Sequence, residues 1–124
     1  MTTWESGRES ALLNDIIAGR KTVEGRLNRG KFAQYQVGDV VRLRRDVRNA
    51  QGELEDGLAD AARVRIVAIR YYATFFELVT TEGYQRVIPS ANSAREAAEE
   101  YNKYYTLADQ QRYGVLAIEI AIKP

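Results

Sequence analysis

A run of alternating apolar residues near the C-terminus limits the fold to one that contains a buried β-strand. Within residues 115–123 the large apolar side chains occupy every second position, at Leu116, Ile118, Ile120 and Ile122. This period of two is typical of a strand that has one face in a hydrophobic core. We therefore expect these four side chains to point inward and the segment to lie inside a sheet.

Three further segments are predicted to be strands, at residues 22–27, 40–45 and 62–72, and the last is long and rich in β-branched residues. In the second segment, Val41 and Leu43 are expected to face the core and the arginines to face solvent. The acidic stretch that follows it, residues 49–60, is predicted to be a loop or hairpin tip.

Helical signals predict three helices between these strands. The first is capped by Ser10 and stops at Gly19, and the second starts at residue 73 or 74 and ends at Gly83. Residues 93–96 form a capping box that opens the third, and residues 109–113 predict a further short turn. Because no regular strand–helix period is present, the predicted fold class is α+β, with a mostly antiparallel sheet or small barrel in one domain, residues 1–124.

The composition excludes several kinds of active site. The chain has no cysteine and no histidine, so disulfides, thiolate chemistry, catalytic triads and the usual transition-metal sites are not expected. No apolar run approaches the roughly 20 residues needed to span a membrane, and the first residues do not resemble a signal peptide. The sequence therefore predicts a cytoplasmic protein that uses no metal and no cofactor.

The net charge of +1 conceals a strongly basic segment. Residues 20–48 contain nine lysines and arginines and three acidic residues, which gives 9 − 3 = +6 for that segment. Such asymmetry predicts a localised anion-binding face. The alternative is that the arginines are the solvated sides of strands, since charge runs usually form such faces.

The most informative part of this segment is residues 19–26, Gly-Arg-Lys-Thr-Val-Glu-Gly-Arg, at a predicted helix-to-strand junction. In a strand, the period of two places Thr22, Glu24 and Arg26 on one face, next to Lys21. These side chains suit a polar site for an anionic ligand such as a nucleotide or RNA backbone. The alternative is a buried ion network that only shapes the fold, although such a network costs desolvation without a clear gain in stability.

Residues 19–26 resemble the G-x-K-x-x-E-x-R signature of ASCH domains, which belong to the PUA-like superfamily. Later segments are similar to further landmarks of the family: residues 37–39 (Val-Gly-Asp), residues 72–75, 82–83 and 87–89 in its middle region, and residues 112–118 in its closing strand. The resemblance extends in order over residues 10–122. It implies a β-barrel of five or six strands flanked by helices, and an RNA-binding cleft that the signature lines.

The leading hypothesis is therefore a module that binds RNA or a modified nucleoside through a basic cleft. The side chains expected to line the cleft or extend its positive charge are Arg20, Lys21, Thr22, Glu24, Arg26, Arg42, Arg44 and Arg45, with Tyr72 as a wall. The sequence does not predict an oligomeric state.

An enzyme is the alternative, since the resemblance includes ribonucleases and a bacterial branch that removes the acetyl group from N4-acetylcytidine. A ribonuclease would use Lys21, Glu24 and Tyr35 among its acid, base and cationic groups. For the acetyl-removing branch, Lys21 and Glu82 match the family's lysine and downstream acid. Glu24, however, replaces the threonine taken as that branch's nucleophile, which makes amide hydrolysis the less favoured alternative.

Overall fold

The structure, a computed structural model, describes residues 1–123. One mixed sheet of six strands forms its centre. The strands are β1 (Thr3–Glu9), β2 (Val23–Leu27), β3 (Val40–Arg48), β4 (Leu54–Asp56), β5 (Ala62–Tyr72) and β6 (Val115–Ile122). The helices are α1 (Ser10–Ile17), α2 (Phe75–Glu82), α3 (Tyr84–Val87), α4 (Ala94–Asn102) and α5 (Leu107–Tyr113), and a 3₁₀-helix spans Gly30–Gln34. A helix able to span a membrane is absent from residues 1–123.

The strands are ordered β1-β3-β5-β6-β2 across the sheet, and β4 pairs with β3 outside this path. β1 runs parallel to β3, whereas all other neighbours are antiparallel. The α+β class and the mostly antiparallel sheet predicted from the sequence are therefore confirmed.

The sheet is not closed into the barrel that was expected. β1 and β2 are its two edges and share no backbone pairing in residues 1–123, yet Arg8 on β1 and Glu24 on β2 form an ion pair at 2.5 Å. Four strand spacings separate these edges, which in a flat sheet would place them about 19 Å apart. The sheet therefore curves until its edges face each other, and side chains bridge the gap.

The predicted strands are present, although some of their bounds differ. β5 covers the predicted residues 62–72, and β3 continues beyond residue 45 to Arg48. Part of the predicted loop at residues 49–60 pairs with β3 as β4. The inward face of β6 ends at Ile120, because Ile122 is 43% exposed at the end of the strand.

The expected cap of α1 is wrong. Glu9 occupies the N-cap position of that helix and makes no side-chain cap bond. The Ser10 hydroxyl instead accepts a hydrogen bond from Arg45 Nη1 at 2.5 Å. The predicted turn at residues 109–113 belongs to a longer helix, α5, which is capped by Thr106.

At α4 one half of the predicted capping box forms. The Ser93 hydroxyl accepts from the Glu96 N–H at 3.1 Å. The Glu96 carboxylate does not return to Ser93 but lies 3.5 Å from Asn92 Nδ2. The bond to the Ser93 hydroxyl alone is enough to begin the helix at the predicted residue.

β1 was not predicted, because the face that it turns inward is largely polar. Ser6 and Arg8 are only 7% and 4% exposed, while Trp4 packs at the border of the core. Strand prediction from periodicity depends on apolar alternation, which this segment lacks. Its position comes instead from parallel pairing with β3 over its whole length.

Apolar side chains cover both faces of the sheet. One core lies between α1 and the inner face, and its members include Leu13, Ile16, Leu43, Ile66 and Ile118. The other lies under the later helices and includes Phe75, Leu78, Val79, Val115 and Ala117. β6 contributes to both cores, with Leu116, Ile118 and Ile120 in the first and the smaller Val115 and Ala117 in the second.

Asp39 ties the N-terminal segment to the start of β3. Its carboxylate accepts from the Thr2 N–H and Trp4 Nε1 at 2.9 Å and from the Gln36 N–H at 3.1 Å. Burial would raise the pKa of Asp39, but the hydrogen bonds from Thr2 and Trp4 outweigh it and lower the pKa. The Val-Gly-Asp landmark thus fixes the position of β1.

We expect Asp39→Ala to lower the free energy of unfolding by about 2–4 kcal/mol, because three donors lose a charged acceptor. The matched control Glu53→Ala removes an exposed carboxylate and should change stability by less than about 0.5 kcal/mol. Urea denaturation of both variants measures the difference. Equal effects would show that Asp39 does not anchor β1.

Candidate functional site

The turn between α1 and β2 determines where the signature side chains lie. α1 ends at Ile17, and Gly19 adopts a φ of +78°, in the left-handed region that glycine enters without strain. The N–H groups of Arg20 and Lys21 then donate to the Asp15 carbonyl at 2.9 and 3.1 Å. The chain therefore turns sharply, and the Lys21 side chain is buried.

Arg8 and Glu24 form a buried ion pair below this turn. Arg8 Nε and Nη2 donate to the two Glu24 carboxylate oxygens at 2.5 and 2.6 Å. Burial would raise the pKa of Glu24, but the charge and hydrogen bonds of Arg8 hold that pKa well below its usual range. Glu24 is therefore an ionised acceptor whose partner is Arg8, and within residues 1–123 it forms no ion pair with Lys21 or Arg26.

Lys21 is held by backbone carbonyls rather than by a carboxylate. Its Nζ donates to the Val87 carbonyl at 2.5 Å and to the Val23 carbonyl at 3.1 Å. Burial, opposed by the charge of Glu24, lowers the pKa of Lys21 to about 8. An ammonium has three donors, so one N–H of Lys21 remains for a ligand.

Gly25 allows an aromatic ring to approach the strand. Its N–H donates to the Tyr101 hydroxyl at 3.2 Å. A Cβ at this position would lie 2.9 Å from the Tyr101 ring and 3.0 Å from Phe75. Tyr101 stacks on Phe75 with ring centroids 4.2 Å apart, so the second glycine of the signature makes space for this stack.

A cleft of about 370 Å³ opens over these groups. Its lining combines charged side chains, a tyrosine wall and an acidic rim. The charged side chains are Arg8, Lys21, Glu24 and Arg26, the wall is Tyr101, Tyr104 and Tyr105, and the rim is Glu9, Asp15 and Glu100. Its volume lies in the range of small-ligand sites.

The cleft is polar but not basic, which differs from the expectation. Three cationic side chains and four carboxylates line it. The three rim carboxylates also pair with cations outside the lining: Asp15 with Arg20 at 2.8 Å, Glu100 with Lys103 at 2.7 Å and Glu9 with Arg48 at 3.2 Å. Within residues 1–123 no cluster of three or more carboxylates is arranged to hold a metal ion.

The structure brings Lys21, Glu24 and Arg26 together in the cleft, but not the other two residues predicted from the signature. Arg20 is 58% exposed and pairs with Asp15 on the rim. Thr22 lines a separate groove, where its neighbours are the apolar side chains of Ile17 and Ile122.

The arginines of β3 do not belong to the cleft lining. Arg44 donates to Asp46 at 2.6 Å and lies 3.3 Å from Asp56. Arg45 holds α1 through Ser10, and Arg42 has its Nε buried. Local contacts occupy Arg44 and Arg45, whereas the buried Nε of Arg42 has no hydrogen-bond partner in residues 1–123.

Tyr35 lies in the inner core rather than in the cleft. Its ring packs on Trp4 and Phe32 at centroid distances of 5.2 and 5.3 Å. Burial raises the pKa of Tyr35.

Glu82 and Tyr72 belong to a second polar cluster. The Glu82 carboxylate accepts from Arg70 and from the Tyr72 hydroxyl at 2.6 Å, and from Arg86 at 2.7 Å. The hydrogen bond from Arg70, with that from Tyr72, lowers the pKa of Glu82 to about 2. Neither residue lines the cleft.

Sequence reasoning missed Arg8 and the tyrosine wall. Arg8 lies on β1, a segment for which the sequence predicted no element. Its positive charge is the one sign in the sequence that it could belong to a site. Tyr104 shares the helical spacing of core residues, yet it is 76% exposed at the cleft because it follows the end of α4.

Comparison with known proteins shows which family model and which solved structures the chain is similar to. The family model for the ASCH domain matches residues 10–124. The crystal structure of hypothetical protein PH0355 is 30% identical, with a TM-score of 0.81, and the alignment covers 98% of this chain and 100% of that one. The solution NMR structure of protein PF0455 from Pyrococcus furiosus is 32% identical, with a TM-score of 0.76 and coverage of 98% and 97%.

A more distant structure shows the same fold. The crystal structure of an ASCH domain from Lactobacillus crispatus is 12% identical, with a TM-score of 0.61, and the alignment covers 98% of this chain and 79% of that one. None of the curated proteins matches the chain.

We expect Arg8→Met to lower the free energy of unfolding by about 3–5 kcal/mol, because it leaves the buried Glu24 carboxylate without its partner. Urea denaturation at neutral pH measures the loss. Replacing both partners, in Arg8→Met/Glu24→Leu, should recover most of it, since no buried charge then remains. A single variant that is as stable as the wild type would contradict the buried pair.

Proposed function

This chain belongs to the ASCH domain family, and on that premise we propose that it binds RNA or a free nucleotide by taking one nucleoside unit into the cleft. The observation that carries the proposal is the buried set of Arg8, Glu24 and Lys21 beside a wall of tyrosines. Fixed donors and acceptors next to aromatic rings are the usual means of holding a single base.

The charge balance of the cleft supports a nucleoside rather than a length of phosphate backbone. A phosphate chain inside the cleft would face four carboxylates as well as three cations. A base presents both donors and acceptors along its edge. Lys21 offers a donor and Glu24 a fixed acceptor, which match such an edge, while Arg26 is available to one phosphate.

The tyrosine wall is a second reason to propose a nucleoside as the ligand. Tyr104 is largely exposed at the cleft and has no partner of its own in residues 1–123 for its ring face. Stacking of a base on an exposed aromatic ring contributes about 1–3 kcal/mol and tolerates different bases. Tyr101 is already stacked on Phe75, so Tyr104 is the platform for the ligand.

The states of the candidate acids and bases favour binding over turnover. The pKa of Glu24 is held well below its usual range by Arg8, and that of Glu82 is lowered to about 2 by Arg70 and Tyr72. Both carboxylates are therefore weak bases near neutral pH. Lys21, with a pKa lowered by burial to about 8, is the group that remains for proton transfer if the protein is a ribonuclease or an amidohydrolase.

We expect nucleoside monophosphates to bind the wild type. The variant Lys21→Met should bind them at least about tenfold more weakly, because a buried charged donor is lost. Since the pKa of Lys21 is lowered to about 8, its charge is present below that pH and lost above it. Wild-type affinity should therefore fall as the pH rises through about 8, and the variant should not show this dependence. Isothermal titration calorimetry at several pH values measures both effects.

The control Lys123→Met removes the same charge outside the cleft lining and should leave affinity unchanged. Equal binding by the wild type and Lys21→Met would contradict the proposal.

Turnover is tested by incubating the wild type and Lys21→Met with N4-acetylcytidine and, separately, with single-stranded RNA. We expect both proteins to leave both substrates intact. Release of cytidine or cleavage of RNA by the wild type alone would favour the enzyme alternatives.

A further inference from the structure

Four cations lie together at the end of β2 and beyond it, next to the cleft. The cations are Arg26, Arg29, Lys31 and Arg112, and they lie against the rings of Phe32 and Tyr113. We call these six residues the β2–α5 patch. The side chains of Arg29, Lys31 and Arg112 are exposed, and that of Arg26 is half-buried. In sequence, residues 25–38 and 110–118 contain no aspartate or glutamate.

None of the four cations forms an ion pair with another residue in the described part of the chain, 1–123. Arg26 donates to the Gly25 carbonyl at 3.0 Å and Lys31 to the Glu5 carbonyl at 2.8 Å. Most other arginines of this protein pair with a carboxylate, as Arg63 does with Asp60. In residues 1–123 the positive charge of the patch is therefore not matched by a direct ion pair.

Each aromatic ring holds two cations, so like charges are kept close together. Arg26 and Lys31 lie 5.1 and 5.5 Å from the centre of the Phe32 ring. Arg29 and Arg112 lie 5.2 and 5.0 Å from the centre of the Tyr113 ring. Each contact with a ring is favourable, but repulsion between the two cations on one ring opposes it. An anion bound close to both cations would reduce this repulsion.

The patch continues directly from the cleft. Arg26 belongs to both, since it also lines the cleft. Arg29 follows β2 closely, and the hydrogen bond from the Asn28 N–H to the Gly114 carbonyl at 3.0 Å brings the end of α5 beside it. A strand that has one nucleoside in the cleft would therefore pass over these cations as it leaves.

We infer that the β2–α5 patch binds the phosphate groups of a single-stranded RNA whose nucleoside occupies the cleft. The inference rests on the proposed function and assigns the two parts of the ligand to two surfaces. The charge-balanced cleft holds the base, and the cations of the patch hold the flanking backbone. Phosphates bound to arginine and lysine give affinity without sequence preference.

The test compares two ligands, a nucleoside monophosphate and a single-stranded RNA of about ten nucleotides, across a range of salt concentrations. The variant Arg29→Gln/Arg112→Gln removes two cations of the patch that do not line the cleft. The matched control Arg63→Gln/Arg95→Gln removes two exposed arginines that pair with Asp60 and Glu99. Fluorescence anisotropy measures RNA binding, and calorimetry measures binding of the monophosphate.

We expect the patch variant to bind RNA roughly tenfold more weakly and to lower the slope of log K against log salt by about 1.4, since each phosphate contact on a single strand contributes about 0.7. Its affinity for the monophosphate should stay within about twofold of wild type. The control variant should change neither quantity by more than about twofold.

The inference is overturned if the patch variant and the control lose RNA binding equally, or if polyglutamate competes as well as RNA does. Binding of the monophosphate with no effect of the patch variant on RNA would reject the patch and leave the proposed function standing. RNA binding that depends on the patch, without any binding of the monophosphate, would support the patch and reject the cleft. If the wild type binds neither the monophosphate nor the RNA, both the proposed function and the inference about the patch are rejected.

Discussion

The ion pair between Arg8 and Glu24 is the interaction on which the rest of the site depends. It joins the two edge strands of a sheet that has no backbone pairing between them. Burying two charges costs several kcal/mol of desolvation each, so the pair is a poor way to gain stability alone. It does close the curve of the sheet with a polar rather than an apolar contact, and the cleft therefore has a polar floor.

The distribution of charge separates the protein into surfaces with different chemistry. Inside the cleft the cations and carboxylates nearly balance, and the rim acids are matched by outward cations. Around Glu82, two arginines and Glu119 form a compensated network. The β2–α5 patch lacks this matching, although it lies next to the cleft. Net charge, at +1 for the whole chain, reveals none of these differences.

Much of the fold could be predicted from local patterns, because β5, β6 and α2 carry their periodicity and end signals in their own residues. The family signature likewise led to Lys21, Glu24 and Arg26. β1 could not be predicted, since its inward Ser6 and Arg8 are polar and its pairing partner is distant in sequence. Summing charge along residues 20–48 also ignores partners that are distant in sequence, such as Asp56, which the fold brings to Arg44.

The placement of Arg8 also affects how the limits of this domain are drawn. The family model begins at residue 10, whereas β1 spans Thr3–Glu9 and carries one member of the ion pair. A fragment that begins at residue 10, where the family match begins, would keep residues 19–26 but lose Arg8. Arg8 is the group that keeps the buried Glu24 ionised. The residues that match the family and the residues that form the site are therefore not the same, because the seven residues of β1 precede the match and include Arg8.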